Sequence, residues 1–556
     1  MRRTHLAACA AIASTLVAAP VAVAQDVTSS RLERAVTVQG ITEHQQALQN
    51  IADMNGGTRY TRTAGFTASA AYVKATLENA GYDARYEMSN MPIWHEKAAP
   101  ALQLTSPTSK TYRPGSAADD NSPNVDFIAF EHSPTKSVSG EVVTVGHTDV
   151  PSDGGSTSGC LASDFGADVD GAVALIQRGT CGFTQKLGLA RQAGAIGVIL
   201  FNKGDTAGRR NALFRSADPG YPIPAVLSSY AVGEELYNLA NGGQHPTVNL
   251  ATNGVDVETL YPNVVAETKG GDPDHVVMLG AHLDSVPAGP GINDDGSGTS
   301  FQLELAEQLV EAGATPRNKI RFLWFGGEED GLVGSRYYAA HMSSADVAKA
   351  DMMLDTDMIA SPNFARLVYD GDGSTFGQEV SGPRGSGKIE AVLRDYWAKQ
   401  GLESEPIPFD GRSDYVGFVN RGIPAGGVFA GAEAPKTAAQ VAKYGGVQGE
   451  QLDPCYHEAC DTFATVTGQP PASTMNSYAT DPALAQQQAD SLNGNALRSL
   501  TQFKGTLVHA TWHFATAKKA FPAKATTATT SSAKATRTMR KRTARFKYRG
   551  HARVAR

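Results

Sequence analysis

The stretch HVVMLGAHLDSVPAGPGINDDGSGTSFQLELAEQL, residues 275–309, decides the fold of this chain. It begins with an apolar run typical of a buried strand and ends with apolar residues at helical spacing. Between them lies a glycine-rich loop that holds His282, Asp284, Asp294 and Asp295. A strand that leads through a polar loop into a helix is the repeating unit of a parallel α/β sheet, in which ligands bind beyond the carboxyl ends of the strands.

The same alternation of apolar runs and amphipathic segments continues towards the C-terminus. Further strands are predicted at KIRFLWFGGEE (319–329), ADMMLDTDM (350–358) and GIPAGGVFAG (422–431), and helices at 298–313 and 388–401. Two more helices are predicted near the start of the chain, at 41–57 and 67–82, each ended by glycine. This alternation predicts an α/β fold with a mostly parallel, mixed sheet and helices on both faces.

Residues 138–253 interrupt that alternation. GEVVTVG, GAVALIQRG, GVILFN and IPAVLSS are short apolar runs typical of strands, and residues 183–195 are predicted to form a helix between two of them. The segment carries no cluster of His and acidic residues in its sequence, so we interpret it as a self-contained, β-rich insert. The expected domains are therefore 25–137 and 254–515 for the main domain, with 138–253 inserted between them.

The first 24 residues have the features of a secretory signal peptide. Two Arg precede an Ala-rich apolar run, and small residues lead up to an expected cleavage after Ala24. A membrane anchor is the alternative, and it is disfavoured because the run contains Pro20 and ends in small residues. No later run of the sequence is long and apolar enough to span a bilayer. We therefore expect a secreted protein, either extracellular or periplasmic.

Charge is distributed unevenly along the 556 residues. The chain has 49 Lys and Arg against 56 Asp and Glu, which gives a net charge of −7. Residues 517–556 hold 13 of the basic residues and no acid, so the remainder carries about −20. We predict a disordered basic tail at 516–556, either a solvated extension or a segment that binds an anionic surface. Nucleic acid is not an expected partner.

Five cysteines are present, of which Cys9 lies in the predicted signal peptide. An even number of remaining cysteines in an exported chain favours two disulfides. Three pairings are possible, and closeness in sequence favours Cys160–Cys181 and Cys455–Cys460. A zinc site built from these four cysteines is the alternative, but their spacing lacks a CxxC unit.

Polar clusters follow the predicted strands at four places. They are His282 with Asp294, Glu328–Glu329, Asp357 and His457. Carboxylates and imidazoles are ligands that zinc accepts. The two adjacent acids at 328 and 329 point to opposite sides of an extended backbone, so one can bind metal while the other faces the substrate. Each cluster alone is commonplace, whereas four at successive strand ends predict a metallohydrolase.

The motifs around these clusters resemble a known family. GAHLDS…GINDDGSG, FGGEEDGLVGS, DTDMIASPN and CYHEACDT together resemble the M28 family of zinc aminopeptidases, and most of all its secreted bacterial branch. The N-terminal LQNIADMNGGTRYTRTAGFTASAAYVKATLENAGY resembles the same family, and GCLASDF…VALIQRGTCGFTQKLGLARQAGAIGVILFN resembles a protease-associated (PA) domain. The resemblance covers about residues 36–515 and implies the zinc exopeptidase fold with an inserted PA domain.

The resemblance also implies a role for each cluster. His282 and Asp357 bind one zinc ion in this scheme. Asp294 bridges that ion to a second, which Glu329 and His457 complete. The implied cofactors are two zinc ions per subunit.

Further roles are implied for residues beside these ligands. Glu328 is implied to be the general base. Tyr456 is implied to donate to the developing oxyanion, with simple packing beside a disulfide as the alternative. Asp284 is implied to accept a hydrogen bond from the imidazole of His282. Asp295 follows the bridging aspartate, where the family often has a cis peptide bond.

The segment FDGRSDYVGF (409–418) resembles the substrate loop of the family. Arg412 and Phe429 are implied to line the site for the N-terminal residue of the substrate, and Asp414 to order the loop. An ordinary salt bridge is the alternative role for Arg412 and Asp414.

The function that the resemblance implies is that of a secreted dinuclear zinc aminopeptidase. Such an enzyme cleaves the N-terminal peptide bond of peptides, and we expect a preference for hydrophobic N-terminal residues and a monomer. An M28 carboxypeptidase with a PA insert has the same ligand types and is the nearest alternative. A receptor-like binding protein and a single-metal glutaminyl cyclase are weaker alternatives, because neither needs all five ligands.

Overall fold

The structure is a computed structural model that describes residues 27–518, apart from 117–118, 120, 153–155, 180, 205–208 and 214–222. The predicted signal peptide 1–24 and the predicted basic tail beyond residue 518 lie outside the described residues. Within the part of the chain that is described, no helix combines the length and the apolarity needed to cross a membrane.

The described strands belong to two sheets. They are β1 (Arg85–Glu96), β2 (Ala101–Ser106), β3 (Lys110–Thr111), β4 (Pro114–Gly115), β5 (Phe127–Ala129), β6 (Lys136–Thr144), β7 (Val173–Gln177), β8 (Gly197–Phe201), β9 (Ala225–Ser228), β10 (Thr247–Thr252), β11 (Gly254–Glu267), β12 (Asp272–His282), β13 (Asn318–Phe325), β14 (Ala350–Asp355), β15 (Leu367–Tyr369), β16 (Glu405–Ile407) and β17 (Ala425–Phe429).

Helices cover the faces of both sheets. They are α1 (Ser29–Ala35), α2 (Val38–Met54), α3 (Ala64–Asn79), α4 (Phe183–Gln192), α5 (Tyr230–Asn241), α6 (Gly296–Glu311), α7 (Val333–His341), α8 (Ser344–Lys349), α9 (Ser386–Ala398), α10 (Tyr415–Asn420), α11 (Ala438–Tyr444), α12 (Phe463–Thr467), α13 (Pro482–Ser491) and α14 (Asn495–Ala515).

The larger sheet has eight strands in the order β1–β11–β13–β12–β14–β17–β15–β16. Its central strands β13, β12, β14 and β17 run parallel, whereas β1, β11 and β15 add antiparallel pairs. One face packs on α2, α3, α6, α9 and α14, and the other on α7 and α10. The predicted mixed sheet with helices on both faces is confirmed.

The smaller sheet has nine strands in the order β3–β2–β10–β6–β7–β8–β9–β5–β4, with α4 and α5 packed on opposite faces. Two strands that precede residue 138, the predicted start of the insert, also belong to this sheet, because β2 pairs with β10 and β5 pairs with β9. These strands precede residue 138 and are short, so long-range pairing rather than a local pattern decides which sheet they join.

A long two-stranded ribbon joins the two sheets. β1 and β11 pair antiparallel from Arg85↔Val265 to Glu96↔Gly254. The chain leaves the larger sheet at the end of β1 and returns at the start of β11, so the whole smaller sheet is inserted between two neighbouring strands. Both predicted disulfide pairs are present, Cys160–Cys181 in the smaller unit and Cys455–Cys460 in the larger.

Candidate metal centre and active site

Three of the four predicted clusters lie at the carboxyl ends of parallel strands. His282 is the last residue of β12, Glu328 follows β13, and Asp357 follows β14. The prediction that His457 also follows a strand is wrong. His457 lies in a turn beyond α11, with a positive φ of 60°, so tertiary packing brings it to the site.

The first group of donor atoms surrounds His282. Its Nε2 lies 3.1 Å from Asp294 Oδ1 and 3.6 Å from Asp357 Oδ1. The other ring nitrogen, Nδ1, donates to the backbone carbonyl of Asp284 at 3.1 Å. A proton on Nδ1 leaves the lone pair on Nε2, which is the tautomer that a metal-binding imidazole needs.

The second group of donor atoms surrounds His457. Its Nε2 lies 3.1 Å from Glu329 Oε2 and 3.3 Å from Asp294 Oδ2. Asp294 therefore presents one carboxylate oxygen to each histidine. In each group, every residue offers a donor atom within 4.8 Å of the donor atoms of the others.

The donor set fits a pair of zinc ions. It consists of two imidazoles and three carboxylates, which are nitrogen and oxygen ligands that zinc accepts. Asp357 Oδ1 and Asp294 Oδ2 are buried and receive no hydrogen bond from the described residues. Buried carboxylate oxygens are normally hydrogen-bonded, ion-paired or bound to metal, so these atoms point to cation binding.

The surroundings of the two groups are rich in buried acids. Burial raises the pKa of Asp295 and Asp355 well above the usual range, and raises the pKa of Asp414 to about 7. Burial lowers the pKa of His457, but Glu329 and Asp294 outweigh this effect and raise it to about 9. So many acids crowded together out of water keep their protons unless a cation offsets their charge, and the arrangement therefore favours a bound dication.

Glu328 lies beside the first group without joining it. Its Oε2 is 4.0 Å from His282 Nε2, and the residue is 1% exposed. Burial raises the pKa of Glu328 well above its usual range, although the imidazole of His282 opposes the shift. A carboxyl group with a raised pKa beside a metal site is suited to accept and return a proton near neutral pH.

The carboxylate of Asp284 was predicted to accept a hydrogen bond from His282, and this prediction is wrong. Asp284 Oδ1 is 3.8 Å from His282 Nδ1, because the backbone carbonyl of Asp284 takes that hydrogen bond. The carboxylate instead accepts from the backbone N–H of Glu328 and of Glu329, both at 3.2 Å, and from the hydroxyl of Thr61 at 2.9 Å. Asp284 therefore holds the turn that carries the two acids.

Comparisons with known proteins give the family of this chain. The model of peptidase family M28 matches residues 263–477, and that of the PA domain matches 138–236. A protein of Pseudomonas aeruginosa named aminopeptidase is 41% identical over 437 residues, which is 78% of this chain and 78% of that protein. This chain belongs to peptidase family M28 and carries a PA domain.

Two further similarities accord with M28 membership. A protein of Aspergillus oryzae named probable leucine aminopeptidase 2 is 37% identical over 75% of this chain and 78% of that protein. The solved structure of a zinc aminopeptidase from Bacillus subtilis has a TM-score of 0.53 and 22% identity, and the match covers 84% of this chain and 94% of that one. At that identity the solved structure shows a shared fold.

The loop of this M28 chain that carries Asp294 is fixed through its backbone. Asp461 accepts from the backbone N–H of Asn293 at 2.7 Å and of Asp294 at 2.9 Å. The peptide bond between Asp294 and Asp295 is cis, as the family resemblance implied. The carboxylate of Asp295 caps α6 by accepting from the backbone N–H of Gly298 at 2.8 Å.

Arg59 holds the earlier part of the same loop, residues 283–291, and it is fully buried. Its guanidinium donates to the carbonyl oxygen of Leu283, to that of Pro290 at 2.7 Å and to that of Gly291 at 2.7 Å. These acceptors lie in two separate parts of the glycine-rich stretch, so one side chain holds both parts together.

The residues expected on the substrate side do come together. Arg412 donates to the hydroxyl of Tyr456 at 3.1 Å and forms an ion pair with Glu433 at 3.1 Å. The ring of Tyr456 stacks on that of His457, with centroids 3.8 Å apart. Phe429, at the end of β17, packs against the cluster that contains Tyr456. Arg412 therefore lies beside the donor groups of this M28 chain and is also held there by Glu433 and Tyr456.

Several residues of the M28 site were not predicted from the sequence. They are Arg59, Glu433, Asp461 and Ser413, whose hydroxyl donates to Asp357 Oδ2 at 2.9 Å. Asp461, Ser413 and Arg59 do fall within family motifs, in CYHEACDT, FDGRSDYVGF and LQNIADMNGGTRYTRTAGFTASAAYVKATLENAGY. The motif gives Arg59 no role, because its partners lie more than 200 residues away, and Glu433 lies in no motif.

Proposed function

We propose that this chain is an aminopeptidase that works with two zinc ions. His282, Asp294 and Asp357 hold one ion, and Asp294, Glu329 and His457 hold the other. The observation that carries this proposal is the sharing of Asp294 between two groups of donor atoms, Oδ1 towards one histidine and Oδ2 towards the other. Membership of family M28 and the relatives named aminopeptidase support it.

Bound zinc would polarise the scissile carbonyl and acidify a water molecule, a contribution general to two-metal hydrolases. Glu328 accepts a proton from the attacking water and returns it to the leaving amine. Asp284 keeps Glu328 in place through the backbone of its turn. Tyr456, whose hydroxyl accepts from Arg412, directs its own proton towards the developing oxyanion.

A free N-terminus fits the charge of the site. The substrate ammonium needs acidic partners close to the scissile bond, and Glu328 and Asp357 are such partners. Phe429 and the apolar groups beside it suit a hydrophobic first side chain, and relatives named leucine aminopeptidase support that preference. Peptides and proteins with a free N-terminus are therefore the proposed substrates.

The proposed location is outside the cytoplasm. The predicted signal peptide and the two disulfides both suit an oxidising compartment. We further propose that the enzyme acts as a monomer, which sedimentation of the mature protein can check.

The proposed specificity is tested with two substrates on the zinc-loaded protein. Leu-p-nitroanilide reports aminopeptidase activity, and an N-terminally blocked peptide extended by a C-terminal Glu reports carboxypeptidase activity. We expect cleavage of the first alone. Cleavage of the second alone would replace the proposal with an M28 carboxypeptidase.

The proposed base is tested by Glu328→Gln, which keeps the shape and removes the proton acceptor. We expect kcat to fall by about 10²- to 10⁴-fold while zinc content stays at two ions per chain. Glu311→Gln on the exposed end of α6 is the matched control and should keep full activity. Retained activity in Glu328→Gln would remove this residue as the base.

A further inference from the structure

A buried ion-pair network joins the smaller sheet to the turn that carries Glu328 and Glu329. We propose that Glu131, in the segment between β5 and β6, is a positioning residue for that turn and acts through Arg62 and Asp330. This inference rests on the proposed function and gives the inserted unit a part in catalysis.

The segment around Glu131 is held by the smaller sheet. The backbone N–H of Phe130 donates to the carbonyl of Ala225, in β9, at 3.0 Å. The hydroxyl of Ser133 donates to the same carbonyl at 2.9 Å and accepts from the backbone N–H of Ala225 at 3.1 Å. Glu131 lies between these two anchors, so its position is set by the inserted unit.

Arg62 connects Glu131 to the larger unit. Its guanidinium forms an ion pair with Glu131 and lies 3.4 Å from Asp330 Oδ1. The three side chains are 18%, 1% and 5% exposed for Arg62, Glu131 and Asp330. The hydroxyl of Tyr60 donates to the same oxygen of Asp330 at 2.6 Å. One cation thus lies between two buried carboxylates, where solvent screens their attraction poorly.

Asp330 is the next residue after the acids that it would position. The backbone N–H groups of Gly331 and Leu332 both donate to the carbonyl of Glu328 at 2.8 Å, which closes a tight turn. Asp284 holds the start of that turn through the backbone, and the side chain of Asp330 holds its middle. A displacement of Asp330 therefore moves Glu328 and Glu329 with it.

The charge on Glu131 matters for where Arg62 lies. With Glu131 neutral, Arg62 has only Asp330 as a strong anionic partner in this network and is drawn towards it. The position of Asp330 then shifts, and with it the backbone of the turn that carries Glu328 and Glu329. Partners that orient the ligands of metal sites in this way typically change metal affinity or activity by about 10- to 100-fold when they are removed.

The test compares Glu131→Gln with wild type in the zinc-loaded full chain. We expect kcat on Leu-p-nitroanilide to fall by about 10- to 100-fold with KM nearly unchanged, and zinc to pass to a chelator about tenfold faster. Glu141→Gln is the matched control, because it breaks the exposed Glu141–His245 pair of the same sheet. This control should keep the wild-type kcat.

Two further variants separate positioning from a purely structural role. Glu131→Asp retains the charge and should recover part of the kcat. The double variant Glu131→Gln/Asp330→Asn should have the same kcat as Asp330→Asn alone. Both substitutions break the same ion-pair network, so their effects should not add.

A Glu131→Gln protein with a lower melting temperature but wild-type kcat and zinc retention would overturn the inference. Should Glu131→Gln fail to fold, wild-type kcat and zinc retention in Asp330→Asn would do the same. A wild-type chain that cleaves no aminoacyl substrate would instead refute the proposed function. The role of Glu131 would then be judged by whether Glu131→Gln loses zinc to the chelator faster than wild type.

Discussion

Asp294 is the residue on which both donor groups depend. Its side chain can face two histidines only because its backbone is fixed, and Asp461 fixes it by accepting from the N–H groups of Asn293 and Asp294. Burial and the two histidines have opposite effects on the pKa of the Asp294 carboxyl. Burial raises its pKa, but the nearby imidazoles of His282 and His457 outweigh that effect and lower it. Asp294 is therefore ionised at neutral pH, as its proposed role between two zinc ions requires.

Asp284 gives the first prediction at the scale of a residue. Asp284→Asn replaces one carboxylate oxygen by an NH₂ group, which cannot accept from the backbone N–H of Glu328 or Glu329. We expect kcat to fall by about 10- to 100-fold with weaker zinc binding, measured by steady-state kinetics and chelator competition. Asp395→Asn on the exposed face of α9 is the control. Unchanged kcat and zinc retention would contradict the role of Asp284 in holding the turn.

The sequence predicted which polar side chains come together, but it did not predict which residues support them. The grouping of His282, Asp294, Glu329 and Asp357 is predictable because they lie close to strands whose apolar pattern is strong. Arg59 was not predictable, since a side chain that hydrogen-bonds to distant backbone carbonyls leaves no local pattern.

The start of α6 shows why the glycine-rich loop ends where it does. A Cβ atom at Gly298 would lie 1.8 Å from the carbonyl oxygen of Thr356, so the first turn of this helix admits only glycine there. The close approach lets Asp295 cap α6 and also accept from the backbone N–H of Met358 at 3.2 Å. One helix end thus ties the loop after β12 to the loop after β14.

The turn that carries His457 gives a prediction at the scale of an element. Cys455 and Cys460 are five residues apart and close the turn around this histidine. Replacing both by serine should widen the range of positions open to the imidazole. We expect zinc at the second position to bind about tenfold more weakly, equivalent to about 1.4 kcal/mol. Zinc titration of the metal-depleted protein measures this.

The second disulfide provides the control for that experiment. Cys160→Ser with Cys181→Ser opens the pair in the smaller sheet, far along the chain from the ligands. It should lower stability without changing zinc affinity. Equal losses of zinc affinity in the two double variants would contradict a specific role for Cys455–Cys460.

Helix α4 gives a prediction about pH. Burial lowers the pKa of Lys186 from 10.5 to about 8. Between these values the unfolded chain keeps a proton that the folded chain has released, so stability rises as pH increases from about 8 to 10.5. The rise is about 3 kcal/mol at most. Lys186→Met should remove this rise from the unfolding midpoint.

Exposed Lys399 at the end of α9 is the matched site for that measurement. Lys399→Met should leave the pH dependence of the midpoint as in wild type. A Lys186→Met protein whose midpoint follows the wild-type pH curve would show that Lys186 does not titrate in this window.

Across the whole molecule, local patterns predicted the larger sheet better than the smaller one. Strands β12, β13 and β14 are apolar runs bounded by polar loops, and their order follows from the strand–loop–helix alternation. Strands β2 to β5 are short, and they join the smaller sheet through pairing with β9 and β10. Nothing local in residues 101–129 distinguishes that pairing from an extension of the main domain.

The final prediction concerns the metal ions and the stability of the whole chain. The five proposed ligands lie between residues 282 and 457 on four separate segments of the chain, so bound zinc would tie together much of the larger unit. Zinc binds the folded chain in preference to the unfolded one, which contributes about 4 kcal/mol per site at a free concentration 1,000 times the Kd. A chelator should therefore lower the melting temperature and abolish activity, and added zinc should restore both. Chelator already saturated with zinc is the control. A melting temperature that chelator leaves unchanged would mean that the five side chains hold no tightly bound ion.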